Sequence, residues 1–155
     1  MSADENTMLA RRLFDEGWSK GNVTVLSDLV ATTYAGHDPT TPAGIHGVAG
    51  LTQYIAGYRA AFPDLSFTLD EVYAIGDNRV LARWTAHGTH RGALMGIPAS
   101  GKHATVGGLT LSRIESGKIV EDYTHWDALG LMQQLGAIPA APQPTQGTDT
   151  RPATH

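Results

Sequence analysis

The chain has 155 residues, a hydrophobic content of 41% and a formal net charge of −4, which predicts one globular domain with an ordinary core. It contains no cysteine, no apolar run of about 20 residues and no basic and apolar secretory signal at its start. We therefore expect a cytoplasmic protein without disulfides. Its scattered basic residues argue against a nucleic-acid partner, and the lack of a long apolar run argues against a membrane.

The first part of the chain predicts three helices. Apolar residues recur at helical spacing over residues 5–20, 22–30 and 48–62, and Pro63 ends the third segment. Residues 34–47 separate the last two helices and contain two prolines and three glycines. This composition predicts a long loop, and loops of this kind are often functional.

Four strands are predicted next, over residues 66–75, 79–90, 103–115 and 118–126. Short glycine-containing turns join the first pair and the last pair, as in antiparallel hairpins. A closing helix follows Asp127 and ends near Gly136. The pattern predicts an α+β domain over residues 1–138, with helices on one face of a strongly curved antiparallel sheet. The proline-rich residues 139–155 lack apolar periodicity and are predicted to be disordered.

The last predicted strand carries polar and ionisable groups on both faces. Alternation places Val120, Asp122, Thr124 and Trp126 on one face. If Trp126 packs into a pocket, Asp122 faces the same pocket, and a carboxylate shielded from water has a raised pKa suited to proton transfer near neutral pH. Alternatively the other face points inward, and Asp122 is a solvated or ion-paired surface group.

Histidines supply the second catalytic candidate. His37 lies in the predicted loop, where it would act as a base or orient a carbonyl group, or would simply be exposed to water. His87 and His90 end the second long strand three residues apart, so a regular strand points them to opposite faces and disfavours a metal site. The chain shows no nucleotide-binding loop, nucleophile elbow or Cys/His cluster, so we expect no cofactor and no metal.

Several further residues have two interpretations each. Tyr54 and Tyr58 share one face of the third helix, where they are helix core or pocket lining. Met95 lies in a glycine-punctuated apolar loop that would cover a ligand or be buried between two subunits. Asp127 would cap the closing helix or take part in catalysis.

Three stretches resemble the SnoaL-like polyketide cyclases of the nuclear-transport-factor-2-like superfamily. They are Ala61-Phe-Pro-Asp-Leu65, the glycine-rich residues 88–102, and residues 117–136 with their ending Asp127-Ala-Leu-Gly-Leu-Met-Gln-Gln-Leu-Gly136. The likeness covers residues 8–138. It implies a cone-shaped α+β barrel with an enclosed pocket, an apolar polyketide-like substrate, and a homodimer formed through the outer face of the sheet.

The resemblance also implies where catalysis occurs, and this chain departs from it there. The family's acid/base aspartate and its assisting histidine match Thr124 and Thr110, and a threonine hydroxyl cannot act as a general base. The usual aldol cyclase mechanism therefore does not transfer unmodified. Asp122, two residues earlier on the same face, would supply the missing carboxylate.

The resulting prediction is a cofactor-independent cyclase or isomerase that moves protons on an apolar carbonyl compound. Asp122 and His37 are its predicted catalytic residues. Its predicted substrate-binding residues are Thr124, Thr110, Trp126, Trp84, Tyr54, Tyr58, Met95, His87, His90 and Asp127. Two alternatives remain: an epoxide hydrolase or hydroxylase on the same fold, and a non-catalytic binding or dimerisation module.

Overall fold

The computed structural model describes residues 2–139 as four α-helices and one six-stranded sheet. The helices are α1 (Ala3–Arg12), α2 (Leu26–Leu29), α3 (Gly47–Ala61) and α4 (Ala128–Gln134). The strands are β1 (Val30–Asp38), β2 (Thr41–His46), β3 (Ser66–Ile75), β4 (Arg79–Thr89), β5 (His103–Glu115) and β6 (Lys118–Trp126). The predicted α+β class is confirmed. The predicted disordered tail lies, from residue 140 onward, outside the described residues.

The first helix begins with a reciprocal cap. The Ser2 hydroxyl accepts from the Glu5 backbone N–H, and the Glu5 carboxylate accepts from the Ser2 N–H. Beyond Arg12 the helix continues as a π-helical segment, Leu13–Ser19, which buries Phe14 and Trp18. The predicted extent of this helix is therefore right, although its second half has a wider winding than an α-helix. Over residues 2–139, no helix is both long enough and apolar enough to cross a bilayer.

The strand order in the sheet is β2-β1-β6-β5-β4-β3. All neighbours pair antiparallel except β1 and β6, which are parallel. The four predicted strands and both of their hairpins are present with nearly the predicted bounds. The sheet is open, because β2 and β3 form its two edges.

The prediction of a long loop over residues 34–47 is wrong, because this stretch contains most of β1 and all of β2. Pro39 lies in the turn between these strands, where a fixed backbone φ is favourable. Pro42 lies in β2, an edge strand, where its missing N–H leaves no neighbouring strand unpaired. The two prolines therefore do not prevent pairing at this particular place.

The helices cover only one face of the sheet. Leu51 and Ile55 of α3 are almost fully buried, as are Ala82, Trp84 and Ala86, which alternate along β4 and share its inner face. On the opposite face, Tyr73, Leu109 and Tyr123 are about half exposed, at 55%, 45% and 45%. The sheet therefore has a covered inner face and an open outer face with apolar side chains.

Candidate active site

A pocket lies between the inner face of the sheet and the helices. Nine aromatic residues contribute to its wall: Phe14, Trp18, Tyr34, Tyr54, Tyr58, Phe62, Phe67, Trp84 and Trp126. Its polar residues are Thr110, Asp122 and Thr124, with His87 at the border, and its described lining includes no lysine or arginine. Such a lining suits an apolar ligand that a few polar groups orient.

Asp122 is the carboxylate of this pocket and is only 5% exposed. Tyr34 donates its hydroxyl to Asp122 Oδ2 at 2.8 Å, and Ser112 donates to Oδ1 at 2.5 Å. Burial raises the pKa of Asp122, although the two hydrogen bonds act in the opposite direction. The face with Thr124 and Trp126 does point inward, so the first of the two interpretations of β6 describes the structure.

A second buried carboxylate, Asp38, lies behind the aromatic wall and is 4% exposed. It accepts hydrogen bonds from the Tyr54 hydroxyl, from the Trp126 indole N–H at 3.1 Å, and from the N–H and hydroxyl of Thr40 at 2.8 and 2.9 Å. Burial and the nearby Asp38 raise the pKa of Tyr54 far above its ordinary value. Asp38 therefore fixes two aromatic side chains that line the pocket.

The parallel pairing of β1 and β6 brings these two carboxylates to the same wall. Gly36 pairs with Asp122, and alternation along β1 places Tyr34, Gly36 and Asp38 on the inner face. Asp38 was not among the predicted site residues, because residues 34–47 were predicted to form a loop. The alternation of Tyr34, Gly36 and Asp38 with outward residues was the available signal.

Two threonines and an indole form a hydrogen-bonded chain on the pocket wall. Trp84 donates its indole N–H to Thr110 Oγ1 at 3.0 Å, and Thr110 Oγ1 lies 3.0 Å from Thr124 Oγ1. Gly108 lies between the two tryptophans in the strand register, opposite Trp84 and Trp126. A Cβ at Gly108 would overlap the Trp84 ring, so the position of this indole requires a glycine there.

The structure brings eight of the predicted site residues together around the pocket: Asp122, Thr110, Thr124, Trp84, Trp126, Tyr54, Tyr58 and His87. Tyr58 differs from Tyr34 and Tyr54 because, among the described residues, its hydroxyl has no carboxylate partner and lies within hydrogen-bonding distance only of Thr40 Oγ1, at 3.5 Å. His87 borders the pocket, while its ring lies 3.2 Å from the Ser66 hydroxyl.

His37, the second predicted catalytic residue, does not line the pocket that contains Asp122. Its ring is on the outer face of the sheet, stacked on Tyr123 at 4.5 Å, with Nε2 2.7 Å from Glu121 Oε2. The physical reason is that residue 37 belongs to a strand, and its neighbours Gly36 and Asp38 face inward. His37 therefore lies on the opposite face of the sheet from the pocket and Asp122.

His90 and Met95 also lie outside the pocket lining. His90 is fully buried and accepts from the Ser100 N–H at 3.1 Å, which fixes the base of the loop between β4 and β5. Met95 is 51% exposed and has a φ of 49° in the turn of that loop. It does not cover the pocket, because the loop turns back on itself through the Leu94 and Ile97 pair.

Asp127 has the capping role. Its carboxylate accepts from the Gly130 N–H at 2.8 Å at the start of α4. Within residues 2–139, no three histidine, aspartate or glutamate side chains are grouped as metal ligands would be. The expectation of a metal-free and cofactor-free protein stays a prediction.

Comparison with known proteins identifies the family. The model of the SnoaL-like polyketide cyclase family matches residues 8–135. Among solved structures, a candidate SnoaL-like polyketide cyclase from Jannaschia sp. CCS1 is 24% identical, with a TM-score of 0.80 and with 88% of this chain and 95% of the other covered. A candidate polyketide cyclase from Acidithiobacillus ferrooxidans is 30% identical, with a TM-score of 0.76 and coverage of 84% and 93%.

A third similar structure has a different described activity. AclR, a candidate hydroxylase from Streptomyces galilaeus, is 22% identical, with a TM-score of 0.79 and coverage of 92% and 87%, which shows a shared fold. No functionally curated protein has significant sequence similarity to the chain. The family match extends from α1 to the end of α4. The chain belongs to the SnoaL-like polyketide cyclase family.

Proposed function

We propose that this protein is a cofactor-independent cyclase or isomerase that transfers protons on an apolar, polyketide-like carbonyl compound. The observation that carries the proposal is the position of Asp122, a buried carboxylate on the wall of an aromatic pocket. Because burial raises its pKa, Asp122 is a stronger base than an exposed aspartate, which suits it to remove a proton from carbon.

The proposed step is enolisation. Asp122 removes a proton from the carbon next to the substrate carbonyl, and the electron pair of the C–H bond moves to the carbonyl oxygen as an enolate forms. Return of the proton to a different carbon of a conjugated enolate gives an isomer. Attack of the enolate carbon on a second carbonyl closes a ring and leaves an alkoxide, which takes the proton back from Asp122. His37 has no part in this proposal, because it lies on the outer face.

The test is deuterium uptake from heavy water. The protein is incubated with 2-tetralone and with aromatic β-keto esters, and exchange at the α-carbon is followed by mass spectrometry. We expect exchange above the buffer rate with the wild type, and its loss in Asp122→Asn because an amide cannot accept the proton. Asp28→Asn, a change at an exposed aspartate, is the matched control and should exchange like the wild type.

The outcomes separate the competing functions. Equal exchange in the wild type and Asp122→Asn would remove Asp122 from the mechanism. Absence of exchange with every ketone, together with hydration of an epoxide such as styrene oxide, would favour the hydrolase or hydroxylase alternative. Absence of both reactions, with ligands still bound, would favour the non-catalytic module.

We also propose that the protein is cytoplasmic and that it forms a homodimer through the outer face of the sheet. The strand register aligns Tyr73, Leu81, Leu111 and Tyr123 in one apolar row across β3, β4, β5 and β6. Leu109, beside this row, is 45% exposed. Arginines and carboxylates lie around these residues on the same face, so a second copy related by two-fold symmetry would find both apolar and charged partners.

Leu109→Arg tests the homodimer. It introduces a cation beside Arg83, its register neighbour in β4, and we expect it to convert the dimer into a monomer. The measurement is sedimentation equilibrium over a range of protein concentrations. Met8→Arg is the control, because Met8 is an even more exposed apolar residue and lies on α1 rather than on the outer face of the sheet. A wild type that sediments as a monomer would contradict the homodimer.

A further inference from the structure

We infer that the Thr124 hydroxyl is the donor that binds the substrate's carbonyl oxygen, and that Trp84 and Thr110 fix the direction in which it donates. The inference rests on the proposed function and assigns a role to the two threonines that replace the family's expected acid/base residues. It depends on which atom donates and which accepts at each hydrogen bond from Trp84 through Thr110 to Thr124.

The direction of the chain is set at its indole end. An indole N–H only donates, so at the 3.0 Å contact Thr110 Oγ1 must be the acceptor. Thr110 is 4% exposed and therefore has almost no access to water for its own hydroxyl proton. The other hydrogen-bond partner of that hydroxyl within the described residues is Thr124 Oγ1, at 3.0 Å. Thr110 therefore donates to Thr124.

The reverse direction is disfavoured by burial. If Thr124 donated to Thr110, the Thr110 O–H would be buried without an acceptor, which is a costly arrangement for a polar group. With the direction Trp84 to Thr110 to Thr124, each buried proton has an acceptor. The proton left over is that of Thr124, whose side chain is partly exposed and lines the pocket.

The hydroxyl proton of Thr124 lies where it can bind the carbonyl oxygen of a substrate whose α-carbon is near Asp122. Thr124 and Asp122 are two residues apart on the same face of β6, so their side chains are roughly 7 Å apart. This distance is about the length needed for three parts in a row: a hydrogen bond to the carbonyl oxygen, the carbonyl group with its α-carbon, and a proton-transfer contact from that α-carbon. An oxygen bound at Thr124 thus places the α-carbon near Asp122.

The same donor stabilises the enolate that the proposed step produces. Charge develops on the carbonyl oxygen as the proton leaves, and a donor fixed in advance toward that oxygen stabilises the charge. Each donation in a hydrogen-bonded chain also polarises the next one, so the indole and Thr110 make Thr124 a better donor than an isolated hydroxyl. In this scheme Trp84 and Thr110 are positioning residues, and Thr124 touches the substrate.

The first test compares two bicyclic probes of the same shape, 2-tetralone with a carbonyl and tetralin without one. Their dissociation constants are measured by equilibrium dialysis for the wild type and for variants. We expect Thr124→Val to weaken ketone binding by about five-fold, the effect of one neutral hydrogen bond, and to leave tetralin binding unchanged. Thr124→Ser retains the hydroxyl and should restore the ketone affinity.

The matched control is Thr68→Val, at an exposed threonine on β3. It should change neither dissociation constant. The inference is overturned if Thr124→Val weakens the two probes by the same factor, if the ketone does not bind the wild type, or if the ketone effect appears in Tyr58→Phe and not in Thr124→Val. The last outcome would assign the donor role to Tyr58, whose hydroxyl has only a 3.5 Å partner.

The second test reads the hydrogen bond directly. A donor lowers the stretching frequency of a carbonyl group, which is measured by infrared difference spectroscopy with 2-tetralone carrying ¹³C at its carbonyl carbon. We expect a lowered frequency in the wild type and Thr124→Ser, loss of the lowering in Thr124→Val, and a smaller lowering in Trp84→Phe. An unchanged frequency in Thr124→Val overturns the inference.

Neither test requires turnover, so failure of the inference and failure of the proposed function are distinguishable. Ketone-specific binding through Thr124 without deuterium exchange would support the donor and contradict the enolisation. Deuterium exchange that survives in Thr124→Val at the wild-type rate, with unchanged ketone binding, would support Asp122 as the base and contradict the donor.

Discussion

Tyr34 on β1 donates its hydroxyl to Asp122 on β6 at 2.8 Å, across the one parallel strand pair of the sheet. Ser112 donates to the other carboxylate oxygen from β5. These two donors lower the pKa of Asp122, while burial raises it by a larger amount, so the resulting pKa lies above that of an ordinary aspartate. The neighbours of Asp122 therefore set the pH at which it can act as a base.

Ser112→Ala should move the acidic limb of the deuterium-exchange rate to higher pH. The base must be ionised, so the rate rises with pH through the pKa of Asp122. Ser112 donates to the carboxylate and lowers the pKa of Asp122, so the loss of this donor should raise that pKa and move the limb to higher pH. The measurement is the exchange rate of 2-tetralone between pH 4 and pH 9.

Ser27→Ala, at an exposed serine, is the control and should leave that pH profile unchanged. A profile for Ser112→Ala that moves to lower pH, or does not move, would contradict the assignment of the limb to Asp122.

Asp122→Asn should remove a pH-dependent loss of stability. Because the folded-state pKa of Asp122 is raised, the folded protein binds this proton more tightly than the unfolded chain does. Its contribution to the free energy of unfolding is therefore fully present below the unfolded pKa and is lost as the pH rises through the folded pKa. Urea unfolding at several pH values should show this decline in the wild type and its absence in Asp122→Asn. A parallel decline in both proteins would be the contrary result.

The adjacent glycines of β5 should respond differently to alanine. A Cβ at Gly108 would overlap the Trp84 ring, whereas a Cβ at Gly107 meets its nearest atom, the Trp84 carbonyl oxygen, at an ordinary 3.7 Å. We expect Gly108→Ala to lower the free energy of unfolding by about 1–3 kcal/mol through overpacking, and to disturb the Trp84 bond to Thr110. Gly107→Ala should be close to neutral in the same urea titration, and equal effects would show that the indole can move aside.

Asp38→Asn should destabilise the protein more than a comparable change at the surface. Donors on Tyr54, Trp126 and Thr40 surround the buried Asp38 carboxylate. An amide at this position would place its own N–H groups against some of these donors. The free energy of unfolding should therefore fall by about 2–4 kcal/mol. The control is Asp64→Asn, because Asp64 also accepts two hydrogen bonds, both from Thr89, but is exposed. Comparable losses in the two variants would contradict a structural role for the Asp38 cluster.

Much of the fold could be predicted from the sequence because each element has its own local signal. The apolar spacing of the helices, the alternation of β3 to β6 and the glycine-containing turns are all properties of short segments. Which face of each strand points toward the pocket was harder to predict. The assignment of Asp122, Thr124 and Trp126 to one face needed only a period of two, but whether that face was inner or outer depended on the helices that cover it.

The errors at β1 and β2 have a physical origin in where the strands lie in the sheet. Proline disfavours a central strand, and its tolerance in β2 depends on β2 being an edge, which is a property of the whole sheet and cannot be read from residues 34–47 alone. Because β1 was predicted to be a loop, no inward and outward alternation was expected for its residues. The inward Asp38 was consequently missed, and the outward His37 was assigned to the pocket.

The charges around the pocket also determine which molecules can be accommodated. Its described lining includes a buried aspartate and no lysine or arginine, and a second aspartate lies directly behind the aromatic wall. A ligand with its own carboxylate would lose its hydration there without gaining a cationic partner. The corresponding ester would not incur this cost. We therefore expect the pocket to bind an ester in preference to the corresponding carboxylic acid.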